Sequence, residues 1–372
     1  MRALSKAAAI SFWRIVLQRD LRHKPVQTTY PPRELDLGPR INRPPKSVLV
    51  IKPSSLGDVV HTLPAVSALK KLWPDAQFRW LVNPEWSPLL EGNPDLEEVL
   101  IFPRDSFRGV LGPLRLWRWA REFGPSSSSD LVLDFQGLLR SALIGRFCCR
   151  SRGEEHACFY GLSDAREGAG LFYDRAVPVR PTQHAVDRYL AMARAFGADV
   201  DVPLQWRLPS GRLPEDFEKG TPYVLVHPFS RGQGKSLSNH ELRALCDGLK
   251  PCRVVVAGRS TEAVQQFGVE DWLNRTTLLE MVALLQNAAW VISVDSGPMH
   301  IAAALSDRLV SIHKWSDPQR VGPYPAQAWV WRQGQLFQRH SPERASPVAD
   351  LCRLGEWVRS ALPRAASGEL CC

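Results

Sequence analysis

The chain has 372 residues, of which 44% are hydrophobic and 23% charged, the balance of a globular protein long enough for two or three domains. No apolar run reaches the ~18 residues of a transmembrane helix, so none is expected. The net charge of +9 is uneven: residues 1–46 carry ten Lys/Arg against three acids, and the remainder is nearly neutral, which argues against a nucleic-acid-binding body.

In the leader, Ile10, Trp13, Leu17 and Leu21 recur at helical spacing beside Arg14, Gln18 and Arg22. Two readings stay open: an interfacial amphipathic helix drawn to anionic lipid, or a helix packed on the body ahead of a proline-rich linker. Arg14 interrupts the apolar stretch and no small-residue cleavage pattern accompanies it, so a signal peptide is not expected. From residue 47 the pattern predicts strand 47–52, helix 58–72, strands 78–82 and 98–102, and helix 115–123. A loop at 124–129, strand 131–135, helix 138–147 and a helical stretch at 184–196 follow. Residues 198–220, rich in Pro, Asp and Gly, read as a boundary, and Asp199-Val200-Asp201 within them as linker rather than a metal-binding pair. The pattern then restarts with strand 223–227, helix 239–249, strand 253–257, helix 278–288, strand 290–294, helix 298–305 and strand 308–313. Continuously apolar strands imply parallel sheets covered on both faces. Two βα-repeating halves imply an α/β protein with one doubly wound domain on each side of a cleft. The eight cysteines form no C-x-x-C pair and read as reduced thiols, neither a disulfide framework nor a zinc site.

Three strand–loop–helix junctions carry the candidate chemistry, because ligands of such folds bind at the carboxyl ends of parallel strands, facing helix N-termini. In the first, Ser54-Ser55-Leu56-Gly57-Asp58 brings two hydroxyls and a carboxylate to one mouth. Gly57 would admit a ligand to the backbone, and Asp58 is either a helix cap or a base for an incoming hydroxyl. In the second, His227 to Ser236 falls short of a Walker A motif, since Phe229 stands where glycine is required. Its Ser230, Arg231 and Lys235 still suit a diphosphate, or else a solvated basic turn. In the third, Ser296 and Gly297 after Asp295 offer backbone N–H groups to diphosphate oxygens, with His300 one turn on. Glu262, beyond strand 253–257, is a ribose acceptor or a surface cap.

These stretches resemble a known family. Lys52 to Ala65, Asp134 to Ala142, His184 to Tyr189 and Val294 to Ala302 are similar to motifs of the family 9 glycosyltransferases, the ADP-heptose:lipopolysaccharide heptosyltransferases. The likeness covers roughly residues 47–340 and leaves the leader without a counterpart. It implies a GT-B fold of two Rossmann-like domains: 47–205 for the acceptor, 206–345 for the nucleotide sugar, and 346–372 as a C-terminal helix and tail. It further implies inverting transfer without metal or other cofactor, with Asp58 as catalytic base. Ser230 and Lys235 then bind phosphate, in a loop one residue longer than the family pattern. Glu262 binds ribose, Thr276 lies by the adenine, and Asp295, Ser296, Gly297 and His300 form the diphosphate loop. Ser55, Gly57, Arg104 and Arg140 face an acidic acceptor. The implied partners are an ADP-sugar, a lipopolysaccharide precursor of Kdo-lipid A type and an anionic membrane surface. The implied setting is the inner face of the cytoplasmic membrane, with the protein monomeric. A family member with another sugar or acceptor, and a non-catalytic sugar-nucleotide binder, are the alternatives.

Overall fold

The computed structural model describes residues 43–149, 158–261, 264, 267–325 and 327–362. The leader helix and Glu262 lie outside the described residues.

The first half runs β1 (Ser47–Ile51), α1 (Leu56–Leu72), β2 (Gln77–Val82), β3 (Glu98–Ile101), α2 (Gly112–Ser126), β4 (Leu131–Asp134), α3 (Leu139–Cys148), β5 (Phe159–Leu162), β6 (Arg175–Val177) and α4 (Ala185–Ala195). Its six strands are all parallel, in the order β3-β2-β1-β4-β5-β6. Residues 196–223 form no helix or strand. The second half runs β7 (Val224–His227), α5 (Asn239–Leu249), β8 (Val254–Gly258), β9 (Glu270–Leu273), α6 (Leu278–Asn287), β10 (Trp290–Val294), α7 (Gly297–Leu305), β11 (Leu309–Ile312), α8 (Pro318–Val321), β12 (Trp329–Arg332), β13 (Gln335–Gln338), β14 (Ser346–Pro347) and α9 (Leu351–Ala361). The second sheet is ordered β14-β13-β12-β11-β10-β7-β8-β9, parallel from β9 to β12 and antiparallel through β13 and β14. This is the doubly wound α/β architecture that the alternation predicts.

The all-apolar strands are explained by what covers them. In β1, Val48 and Val50 enter one hydrophobic cluster while Leu49 and Ile51 enter another on the opposite face. In β7, Leu225 joins the same first cluster, and Val224 and Val226 join a third. The first cluster therefore runs through both halves. Its helices α1 and α7 pack N-terminus to N-terminus: a Cβ on Gly297 would strike the Leu56 side chain, and one on Gly57 the His300 ring. Those contacts bring the two candidate junctions together.

Several elements depart from the expected pattern. Strands β5, β6 and β9 and the β12–β13 hairpin are additional. The hairpin turns on Gln333 and Gly334, both at positive φ, the geometry of a two-residue turn that Asn-Gly ordinarily signals. Helix α2 extends through Ser126, into the stretch expected to be loop. The reading of every cysteine as a free thiol is corrected: Cys149 and Cys158 are joined as a disulfide, with Cα atoms 6.1 Å apart. The fold brings the end of α3 beside the start of β5, a proximity that linear spacing does not reveal. Their Sγ atoms and the Asp174 carboxylate form the one group of metal-ligand type found among the described residues. It lies at the amino edge of the first sheet, opposite the candidate site.

Candidate active site

Each sheet reverses its winding direction once, between β1 and β4 in the first half and between β7 and β10 in the second. The crevice outside the strand carboxyl ends at such a point is where doubly wound folds bind ligands. Both crevices here are lined by polar groups that the neighbouring helices hold in place.

At the β1/β4 crevice, Lys52 leaves the end of β1 and is only 3% exposed. Its Nζ donates to the Phe135 carbonyl at 2.9 Å and to the Tyr189 hydroxyl at 2.8 Å, and stands 3.8 Å from Asp58 Oδ1. The Tyr189 hydroxyl in turn donates to Asp58 Oδ1 at 3.1 Å. Asp58 Oδ2 accepts from the Ser55 N–H at 3.1 Å and the Ser55 hydroxyl at 2.8 Å. Asp58 thus sits in the first turn of α1 as a cap would, but only one of its oxygens serves that purpose. Burial pushes its carboxyl upward; Lys52, Ser55 and Tyr189 outweigh that and hold it below the usual value. The side chain keeps 38% of its exposure, so an ionised carboxylate is presented to the crevice. Burial likewise lowers Lys52, against the raising charges of Asp58 and Asp134. Beside them, Asp134 accepts from the Gln136 and Gly137 N–H groups and from the Ser141 and Tyr173 hydroxyls, which fixes the loop carrying Gln136. Gln136 then accepts from the Ser54 N–H.

At the β7/β10 crevice, Lys235 Nζ donates to Asp295 Oδ2 at 2.6 Å and lies 5.2 Å from the Trp315 ring centre. Burial raises the Asp295 carboxyl, but His300, Lys235, His313 and Ser316 bring it below the usual range. The loop holding Lys235 is braced by Ser236, whose hydroxyl accepts from the Ser230 N–H at 3.0 Å, and by Trp315, whose Nε1–H donates to the Gln233 carbonyl. Arg231 reaches across to lie 5.2 Å from the Trp86 ring centre of the first half. Ser296 is the N-cap of α7, its hydroxyl accepting from the Met299 N–H and lying 3.2 Å from His227 Nδ1.

A seam of histidines joins the two crevices. His61 Nε2 and His300 Nδ1 are 2.9 Å apart, with ring centres at 4.1 Å. His184, edge-on to His61, accepts from the Val186 N–H at Nδ1. Its proton therefore resides on Nε2, which donates to the Gly322 carbonyl of the second half at 3.1 Å. Burial lowers all three rings, His184 to about 3, so the seam is neutral at physiological pH. Nearby, the Tyr324 hydroxyl of the second half donates to Asp187 Oδ1 of α4.

Asp58, Ser55, Ser230, Lys235, Asp295, Ser296, Gly297 and His300 thus converge where the halves meet. The missing Cβ of Gly57 admits the His300 ring. His300 is 8% exposed and spans the seam, its Nε2 3.9 Å from Asp295 Oδ1. Gly297 serves close packing against Leu56 in the same way. Arg104 opens the 3-10 turn after β3, and Arg140 is the second residue of α3 after β4. Both are exposed at the carboxyl edge that carries Asp58, without being tied to its network. Thr276 is half-buried in the loop between β9 and α6, at the far end of the carboxyl edge of the second sheet. Asp201 pairs with Arg194 at 3.0 Å and its N–H bonds Asp199, as a linker segment would. Sequence reasoning assigned no role to Lys52, Tyr189, His61, His184 or His227. Lys52 and His227 had a local signal, a polar residue closing an otherwise apolar strand.

Two doubly wound sheets whose ligand crevices face one another, a held carboxylate in one and a lysine–aspartate pair in the other, form the architecture of the GT-B fold. Residues 118–349 match glycosyltransferase family 9 (heptosyltransferase), and the chain belongs to that family. It is 29% identical over 297 residues to lipopolysaccharide heptosyltransferase 1 of Pseudomonas aeruginosa, covering 74% of this chain and 81% of that one. It is 23% identical over 307 residues to lipopolysaccharide core heptosyltransferase OpsX of Haemophilus influenzae, covering 77% and 84%. The fold superposes on E. coli heptosyltransferase WaaC with ADP at a TM-score of 0.63, with 24% identity, over 85% of this chain and 98% of that one.

Proposed function

We propose that this enzyme transfers a heptose from ADP-heptose to a lipopolysaccharide inner-core acceptor of Kdo-lipid A type, with inversion and without a metal ion. The observation that carries the reading is the placement of an ionised Asp58 across the seam from Lys235. Residues 47–205 form the acceptor side, 206–345 the nucleotide-sugar side, and 346–372 a closing helix and tail. The names of the relatives support the heptosyl and lipopolysaccharide parts, and the ADP bound to WaaC supports the nucleotide.

In this mechanism the Asp58 carboxylate takes the proton of an acceptor hydroxyl as its oxygen attacks the anomeric carbon. The bond from that carbon to the diphosphate oxygen breaks on the opposite face, and ADP leaves with the electron pair. The sugar passes through an oxocarbenium-like transition state. Lys235, the Ser230 hydroxyl and the N–H groups at 296–297 meet the charge growing on the diphosphate, the role a divalent cation would otherwise fill. Lys52 and Tyr189 keep Asp58 charged and aimed. Glu262 and Thr276 contact the nucleoside, and Arg104, Arg140 and Ser55 the anionic acceptor. The enzyme works as a monomer at the inner face of the cytoplasmic membrane.

Isothermal titration with ADP, UDP and GDP, each with and without magnesium, tests the donor. Preferred, magnesium-independent ADP binding that Lys235→Ala weakens is expected. Preference for UDP or GDP, or a strict metal requirement, overturns this donor assignment.

A further inference from the structure

The crossover from β3 to α2 carries a surface that transfer chemistry does not use. Helix α2 buries Leu116, Ala120 and Gly124 along one stripe and exposes Leu114, Trp117, Arg118 and Arg121 along another, at helical spacing i, i+3, i+4, i+7. The loop before it is more exposed still: Val110 is 94% and Leu111 60% accessible, with Leu114 at 46% and Trp117 at 38%. One exposed leucine needs no explanation, but four large apolar side chains within eight residues do. Residues 104–121 also hold five arginines against a single acid, Asp105, which is paired with Arg108. The Arg121 guanidinium lies over the Trp117 ring. Apolar side chains interspersed with arginines are the composition of an interfacial membrane face, because an arginine stem can lie along apolar surface while its head stays in water.

The position of this surface points the same way. Strand β3 is parallel to β1, and α2 returns against it, so the start of α2 lies at the carboxyl edge that carries Asp58. The apolar residues cluster at that start. We infer that the 104–121 crossover docks on an anionic phospholipid bilayer, inserting Val110, Leu111, Leu114 and Trp117 at the headgroup boundary with Arg115 and Arg118 on lipid phosphates. This deepens the membrane-surface reading of the proposed function and rests on it. The docked edge then faces an acceptor anchored in the same bilayer.

Sedimentation of the full chain with vesicles tests it, without donor or acceptor, so that an error in the sugar or nucleotide cannot affect the result. Vesicles are phosphatidylcholine alone, or with about a third phosphatidylglycerol to supply negative surface potential. Binding to the anionic vesicles alone is expected. The quadruple Val110→Ser, Leu111→Ser, Leu114→Ser, Trp117→Ser variant should reduce partitioning at least about thirtyfold. Arg115→Gln and Arg118→Gln should each cost about fivefold. The quadruple variant should keep its urea midpoint and its turnover of a detergent-dispersed acceptor, showing that it folds. A full chain with Arg14, Arg19 and Arg22 changed to Gln should still bind. The inference is overturned if the quadruple variant binds like the parent, if the leader variant alone abolishes binding, or if the parent ignores anionic vesicles.

Discussion

Changing Gly57 to alanine tests the seam between the halves. An ideal Cβ there would lie 3.1 Å from His300 Nε2 and 3.4 Å from Cγ, with Cδ2 closer still, so the imidazole must move. Overpacking of this kind costs about 1–3 kcal/mol. Displacing the ring also weakens its 2.9 Å contact with His61, worth about 1 kcal/mol. Alanine's helix preference recovers at most ~1 kcal/mol, and less at the second residue of α1. A net loss of about 1–3 kcal/mol is therefore expected in urea unfolding. Because the seam spaces Asp58 from Lys235, turnover should fall about tenfold, as misplaced reacting groups do. The decisive comparison is a double-mutant cycle with His300→Ala, in which adding the methyl should cost almost nothing once the ring is gone. A coupling of at least about 1 kcal/mol is expected between neighbours in contact. If Gly57→Ala is as costly without the His300 ring, the reasoning fails.

Asp58→Asn should lower turnover by about 10²- to 10⁴-fold while leaving ADP affinity within about twofold, as loss of a general base does; calorimetry and steady-state kinetics separate the two. Tyr189→Phe leaves one Lys52 donor bond and one Asp58 acceptor bond unmade, so a stability loss of about 1–2 kcal/mol and reduced kcat are expected by urea melts and kinetics. Acidification should destabilise the fold. Burial holds His184 near 3 and His227 and His313 near 4, against an ordinary 6.5. Between about pH 4 and 6.5 the unfolded chain thus binds more protons than the folded one, and each histidine contributes a fall of up to about 1.4 kcal/mol per pH unit. Their contribution is complete above about pH 6.5 and lost as the pH drops; urea melts at pH 7, 6 and 5 should show it, with a shallower slope in His184→Gln.

Much of this site was legible in the sequence because its parts are local. The three junctions are each an apolar strand, a polar loop and a helix start, and Asp58, Ser230, Lys235 and Asp295 belong to them. What stayed hidden depends on distant residues. Tyr189 reaches Asp58 only because α4 returns beside α1, and His61 meets His300 of the second half, 239 residues further along the chain. Gly57 reads as a ligand-approach glycine and Gly297 as an N–H donor, and the packing of each against the facing helix depends on a distant partner that the sequence does not name. Strands β5 and β9 escaped notice for local reasons: β5 is a four-residue strand containing Gly161, and β9 begins with two acids.

The central claim is that Asp58 drives transfer from ADP-heptose to a lipopolysaccharide precursor without a metal. One assay addresses it most directly: incubation with ADP-heptose and Kdo-lipid A under excess EDTA, following ADP release and the anomeric configuration of the product. Acceptor-dependent ADP release with inversion, abolished in Asp58→Asn, is the predicted result. Retention of configuration, loss of activity in EDTA, or an active Asp58→Asn enzyme would contradict it.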